Sequence, residues 1–323
     1  MKHRLLLFLV LLLVLSIAAG LGESSAPYTA RTSTMFSLHA TPDGQKLIFV
    51  PKGAQIGILE WTDKWCLAEY NGTTGYCKTS WLYSLCPVDP FTALSPQNPH
   101  QPSGYIVPIQ DLVIKTISYD GTLVPSGDLI CAIDSRNGFY EIPVWRDKLV
   151  LSDPDTEYHA FAPWYSANPG EIISGFTTFY SDRQGKAHPR EREYNMQLGC
   201  SRINGHTLAP GETFSFNALC GPYRKSNNYR LAPNISQDGE GYGGGVCQVS
   251  TTLYNALLPI PLQLEFWSIH RPKGVPYVAQ YFDAAVGTRT DLVFTNTLPY
   301  SITIRASAKN GIVSIFIVRT PEE

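Results

Sequence analysis

The stretch GYGGGVCQVSTTLYNALL covers residues 241–258, and the reading of the whole chain turns on it. Three consecutive glycines, Gly243 to Gly245, lead into Cys247. Glycine reaches backbone conformations closed to other residues, so the run predicts a tight turn. After it, Val249, Leu253, Tyr254 and Leu257 share one side of a helix. A helix over about 248–258 with one face in a core is expected. Cys247 then stands at or near the first helical turn. Unpaired backbone N–H groups and the positive end of the helix dipole favour a thiolate there.

Outward from this stretch the chain reads as an α+β domain, residues 169–323. GFTTFYS at 175–181 has the texture of a strand, and EREYNMQLGCSRING at 191–205 that of a helix. LAPGETFSFN turns into a strand, and LQLEFWSIHRP supplies another. The tail from Asp291 alternates well and turns at Asn310-Gly311, which predicts a closing antiparallel meander. The Cys-bearing helix is expected to pack on that antiparallel sheet.

Upstream the texture is all β. WCLAEYNGTTGYCKTSWL reads as a hairpin about Asn71-Gly72. Residues 105–168, with turns at Asp120-Gly121 and Asn137-Gly138, read as a second small β module. CPVDPFTALSPQNPHQPSG between them is rich in proline, and residues 87–104 are assigned as a linker. Lys2, His3 and Arg4 precede an apolar run from Leu5 to Ile17 and the small residues Ala18, Ala19 and Gly20. That is the pattern of a secretory signal, residues 1–26. The alternative is an uncleaved anchor, the one route by which the chain would contact membrane.

Composition narrows the partners. At 323 residues, 44 % hydrophobic and 16 % charged, with a net charge of -2, the chain is globular and carries no basic patch for nucleic acid. Seven cysteines in an exported chain invite disulfides. Cys66 and Cys77 flank the hairpin turn, and Cys200 and Cys220 form the next couple. An odd count leaves at least one thiol free if the rest pair. The histidines are scattered and no CxxC or HExxH occurs, so neither a metal nor a cofactor is expected.

A reactive thiol needs a base, and the base needs an orienter. Downstream of the helix, His270 follows a strand and Asp283 lies beyond it. Cys247, His270 and Asp283 are therefore the candidate catalytic residues, with Asn296 a weaker orienter. Gly245, Gln248, Ser250 and Thr251 are the candidate oxyanion or substrate-binding residues. The plain alternatives are that Cys247 is a buried small residue or a disulfide partner, His270 a surface residue and Asp283 a turn cap.

Two resemblances set the context. GFTTFYS, Asn195, Ile203-Asn204-Gly205, PGETFSFN at 210–217, GGGVCQVSTTLYNA at 243–256, His270, Tyr277, DAAV at 283–286 and DLVFTN at 291–296 resemble the VanW family of exported bacterial proteins. Pro51-Lys52-Gly53, Trp65 and Gly75-Tyr76 resemble a bacterial Src-homology-3-type barrel over residues 27–86. Trp61, Trp81 and Tyr83 there are candidates for stacking on sugar rings. The resemblances imply a secreted or cell-envelope protein whose partners are cell-wall peptides or glycans. The Cys247, His270 and Asp283 set, placed in that context, leaves two functions. One is a thiol-dependent peptidase, amidase or transpeptidase acting on peptidoglycan peptides. The other is a non-catalytic wall-peptide-binding scaffold.

Overall fold

The computed structural model describes residues 26, 28–61, 64–87, 101–114, 122–134, 139–144, 149–152, 156–180, 189–233, 239–270, 274–279 and 281–322. Residues 1–25 of the segment read as a signal, most of the stretch read as a linker, and the Asp120-Gly121 and Asn137-Gly138 turns lie outside them. The described chain is mostly strands with few helices, and it divides into two compact units, Met1–Trp81 and Leu82–Glu323.

In the first unit six strands form one antiparallel sheet: β1 (Tyr28–Thr32), β2 (Phe36–His39), β3 (Lys46–Val50), β4 (Gln55–Trp61), β5 (Trp65–Tyr70) and β6 (Thr73–Lys78). Asn71 and Gly72, with φ 47° and 73°, make the β5–β6 turn, the positive-φ pair that a tight hairpin needs. Along the sheet these six stand in the order β3-β2-β6-β5-β4-β1, and among the described residues no pairing joins β3 to β1. The sequence predicts a barrel here; among the described residues none closes. The β2–β6 link rests on the single registered pair His39↔Tyr76, and the edge strand β3 leaves Leu47 and Phe49 exposed. Trp81 is partly buried, stacked on Phe36 at 5.1 Å and covered by the Lys78 ammonium, so its ring is not an open platform. The side chains of Trp61 and Tyr83 lie outside the described residues. Cys66 and Cys77 face each other in register, both buried, with sulfurs 3.2 Å apart and no disulfide between them.

The second unit begins with β7 (Leu82–Pro87). Strands β8 (Gly104–Pro108), β9 (Leu112–Ile114), β10 (Thr122–Val124), β11 (Ile130–Asp134), β12 (Phe139–Ile142), β13 (Leu149–Ser152) and β14 (Thr156–Ala160) come next. Five of them form a sheet in the order β13-β12-β11-β8-β14. Its core, with Ile106, Ile130 and Ile142, also contains Phe179 and Ile312 from the C-terminal sheet. The 105–168 module therefore shares its interior with the C-terminal part of the chain.

The C-terminal part starts with β15 (Ile172–Phe179), α1 (Pro189–Ile203), β16 (Thr207–Leu208), β17 (Thr213–Ser215) and the short α2 (Phe216–Cys220). β18 (Leu231–Pro233) and β19 (Glu240–Tyr242) then pair and lead into α3 (Val246–Leu257). β20 (Gln263–Phe266), β21 (Val293–Thr295), β22 (Ile302–Lys309) and β23 (Ile312–Arg319) complete it. β15-β23-β22-β16 form an antiparallel sheet, and β17-β21-β20 a second, smaller one. Helix α3 packs on β15 and β23, and α1 packs on β22 and α3. β15 and β23 are buried almost throughout; β15 buries Ser174, Thr177 and Thr178 by hydrogen-bonding them to the Ala256 carbonyl, Ser314 and Thr252.

Candidate active site

Cys247 is the second residue of α3. Gly245 precedes the helix with φ 104°, in the left-handed region that favours glycine. At Gly244 the constraint is space. A Cβ there would lie 2.4 Å from the Ala232 carbonyl oxygen and 2.5 Å from that of Pro233. Buried Asn195 of α1 fixes the turn from the other side. Its Nδ2 donates to the Gly244 and Arg230 carbonyls at 3.1 and 2.9 Å, and its Oδ1 accepts the Arg230 N–H at 2.8 Å. The carbonyls of Gly243 and Gly245 accept the N–H groups of Val246 and Gln248.

The thiol is partly exposed, and its Sγ lies 3.4 Å from the Val286 carbonyl oxygen. His270 comes after the irregular segment beyond β20, and its side chain is 11 % exposed. Asp283, fully buried, receives it twice. Asp283 Oδ2 is 2.6 Å from the ring Nδ1 and accepts the His270 backbone N–H at 2.7 Å. This fixes the proton on Nδ1 and leaves Nε2 for chemistry. The three residues that the sequence picks out are thus brought together.

Charge is shared across the group. Burial opposes ionisation of Cys247. The positive imidazole, its hydrogen bond to the sulfur and the Val286 backbone outweigh burial and hold the thiol below its ordinary pKa. Burial likewise opposes a charged His270, yet Cys247 and Asp283 together lift it to about 10. The two shifts describe a thiolate–imidazolium pair. Nε2 is buried without a well-aligned hydrogen bond, so its bond to the sulfur is loose, as catalytic contacts in an unliganded site often are.

The expected substrate-binding side chains do something else. Gln248, Ser250 and Thr251 are buried and their polar groups are committed. Gln248 Nε2 donates to Thr178 Oγ1 and the Phe179 carbonyl, while its Oε1 accepts from Arg192 at 2.7 Å. Ser250 Oγ donates to the Ala284 carbonyl at 2.7 Å, and Thr251 Oγ1 accepts the Ala284 N–H at 3.0 Å. Asn255 Nδ2 donates to the Phe282 carbonyl at 2.7 Å. These groups grip the backbone on both sides of Asp283, so α3 displays the thiol and also fixes the carboxylate. They cannot serve as oxyanion donors. Asn296 is not an orienter either: its amide donates to the Leu208 and Tyr300 carbonyls.

Sequence reasoning did not assign roles to Asn195 or Tyr277. Tyr277 is buried and hydrogen-bonded with Thr251. Its phenol is pushed up by burial, then by the Cys247 and Asp283 charges. No cluster of His, Cys, Asp and Glu suited to a metal occurs among the described residues, and no helix among them is long and apolar enough to cross a membrane.

Comparison with known proteins finds likeness in the stretch that carries this site. Residues 191–318 match the family described as VanW like protein. The chain is 38 % identical over 125 residues to the uncharacterized protein YoaR of Bacillus subtilis strain 168. That match takes in 38 % of this chain and 41 % of YoaR. It is 30 % identical over 105 residues to the vancomycin B-type resistance protein VanW of Enterococcus faecalis strain V583, over 32 % of this chain and 35 % of that protein. The chain thus spans less than half the length of either relative.

Proposed function

We propose that the protein is an exported cell-envelope enzyme, a thiol-dependent peptidase, amidase or transpeptidase acting on peptidoglycan peptides. One observation carries this reading: Cys247 at a helix start interacts with an imidazole whose other nitrogen is held 2.6 Å from a buried carboxylate. The likeness to a protein named for vancomycin resistance supports the cell wall as its setting.

The chemistry is dictated by the residues. The Cys247 thiolate adds to an amide carbonyl, and the carbon–oxygen π pair moves onto oxygen. Among the described residues no backbone carbonyl outside α3 accepts the Cys247 N–H, and it is the donor best sited for that oxyanion. As the intermediate collapses, the C–N bond breaks and imidazolium Nε2 protonates the leaving amine. A thioester and a neutral His270 remain. His270 then takes a proton from water, giving hydrolysis, or from an acceptor amine, giving transpeptidation, and the thiolate is released. Asp283 stays ionised and orients the ring.

The test is incubation of the full chain with defined cross-linked and linear muropeptides, read by mass spectrometry. Turnover is expected, with a thioester on Cys247 after acid quenching and a loss of about 10³-fold or more in Cys247→Ala. Binding without turnover would contradict the enzyme reading and favour the scaffold.

A further inference from the structure

The PGETFSFN stretch ends at Asn217, a residue that neither the fold nor the proposed reaction yet explains. Its partners are distinctive. Nδ2 donates to the Gly287 carbonyl at 2.9 Å and the Thr290 carbonyl at 2.8 Å. Oδ1 accepts the Tyr223 hydroxyl at 2.7 Å. Its backbone N–H donates to Asp291 Oδ1 at 2.9 Å, and Asp291 Oδ2 accepts from Ser215 Oγ, the cap of α2. One amide therefore closes both ends of the turn that the Gly287 N–H makes to the Thr290 carbonyl.

That turn starts one residue past Val286, whose carbonyl touches the Cys247 sulfur. Upstream, the same segment reaches Ala284 and Asp283, which α3 holds. The piece of chain carrying the carboxylate and the sulfur's backbone contact is thus pinned at two points, by Ser250, Thr251 and Asn255 at one end and by Asn217 at the other. Tyr223 ties the second pin back to the thiol's own turn, because its side chain packs against Gly243, with the ring Cδ1 3.2 Å from where a Cβ would stand.

We propose that Asn217 is a positioning residue for the Cys247 thiol, acting through the 287–290 turn to hold the Val286 backbone against the sulfur. This rests on reading Cys247 as the nucleophile. Without the amide, the two carbonyls lose their donor and the segment lifts. The Val286 backbone is one of the contacts that hold the Cys247 pKa down, so its departure moves the thiol back toward its ordinary value.

The experiment uses the full chain and measures iodoacetamide labelling of Cys247 against pH by peptide-resolved mass spectrometry. Wild type, Asn217→Ser, Asn217→Asp and Tyr223→Phe are compared, with thermal melts alongside. The midpoint is expected to rise in Asn217→Ser by about half a unit or more, toward the ordinary thiol value of about 8.5. A smaller rise is expected in Tyr223→Phe, which leaves both Nδ2 hydrogen bonds in place. Asn217→Asp, which keeps the shape but loses the donor, serves if the serine variant does not fold, and the same rise is expected. Variant profiles superimposed on a low wild-type midpoint would overturn the positioning role and leave the thiol reading intact. A wild-type midpoint at or above 8.5 would overturn both.

Discussion

Cys247 and His270 exchange a charge, and their protons belong to the pair. In the proposed reaction the attack needs a thiolate and the leaving group needs an imidazolium. The Cys247 pKa is depressed, so activity is present above it and lost as pH falls through a midpoint below the ordinary 8.5 or so. The His270 pKa is raised, so activity is lost as pH rises through about 10. A bell-shaped kcat/KM profile with these two limbs is the expected outcome. An acid limb at or above the ordinary thiol value would contradict the pair. At this scale the sequence was legible for Cys247, His270 and Asp283, because thiol chemistry demands those residue types in a usable order. It was not legible for Gln248, Ser250 and Thr251. Their polar groups face inward to partners that lie 33 to 70 residues away in the chain, and local pattern carries no sign of that.

Helix α3 explains the failure at the next scale. The spacing of Val249, Leu253, Tyr254 and Leu257 predicts one buried side, and those four residues are buried. So are Gln248, Ser250, Thr251, Thr252 and Asn255, because the sheet, α1 and the Asp283 segment enclose the helix. A periodicity argument sees the apolar stripe and assigns the rest to solvent; a central helix with satisfied polar groups defeats it. The glycine turn was legible, and its reasons are now specific. Gly244→Ala drives a Cβ into two backbone carbonyls that cannot step aside. It is expected to destabilise the second unit by about 1–3 kcal/mol or more, read as a lower midpoint in urea unfolding. An unchanged midpoint would mean that the turn has room for a methyl group.

Across the molecule, strand content was more legible than closure or grouping. The first unit has the expected hairpin, yet among the described residues its sheet does not close, because closure depends on long-range pairing that alternation does not encode. The β module at 105–168 shares a core with Phe179 and Ile312, a contact between distant segments with no local mark. The thiols sort at this scale too. Burial raises Cys131, Cys200 and Cys220, the last to about 12, and a hydrogen bond with Cys77, then burial, raises Cys66. Cys247 alone among these is lowered. The most direct test of the account is therefore the pH dependence of iodoacetamide labelling across all the cysteines of the full chain, in wild type and His270→Ala. The account predicts that Cys247 labels first, with a midpoint well below about 8.5, and that removing the imidazole moves the midpoint upward. A Cys247 that labels no faster than its buried neighbours, or whose profile is unchanged by His270→Ala, would contradict it.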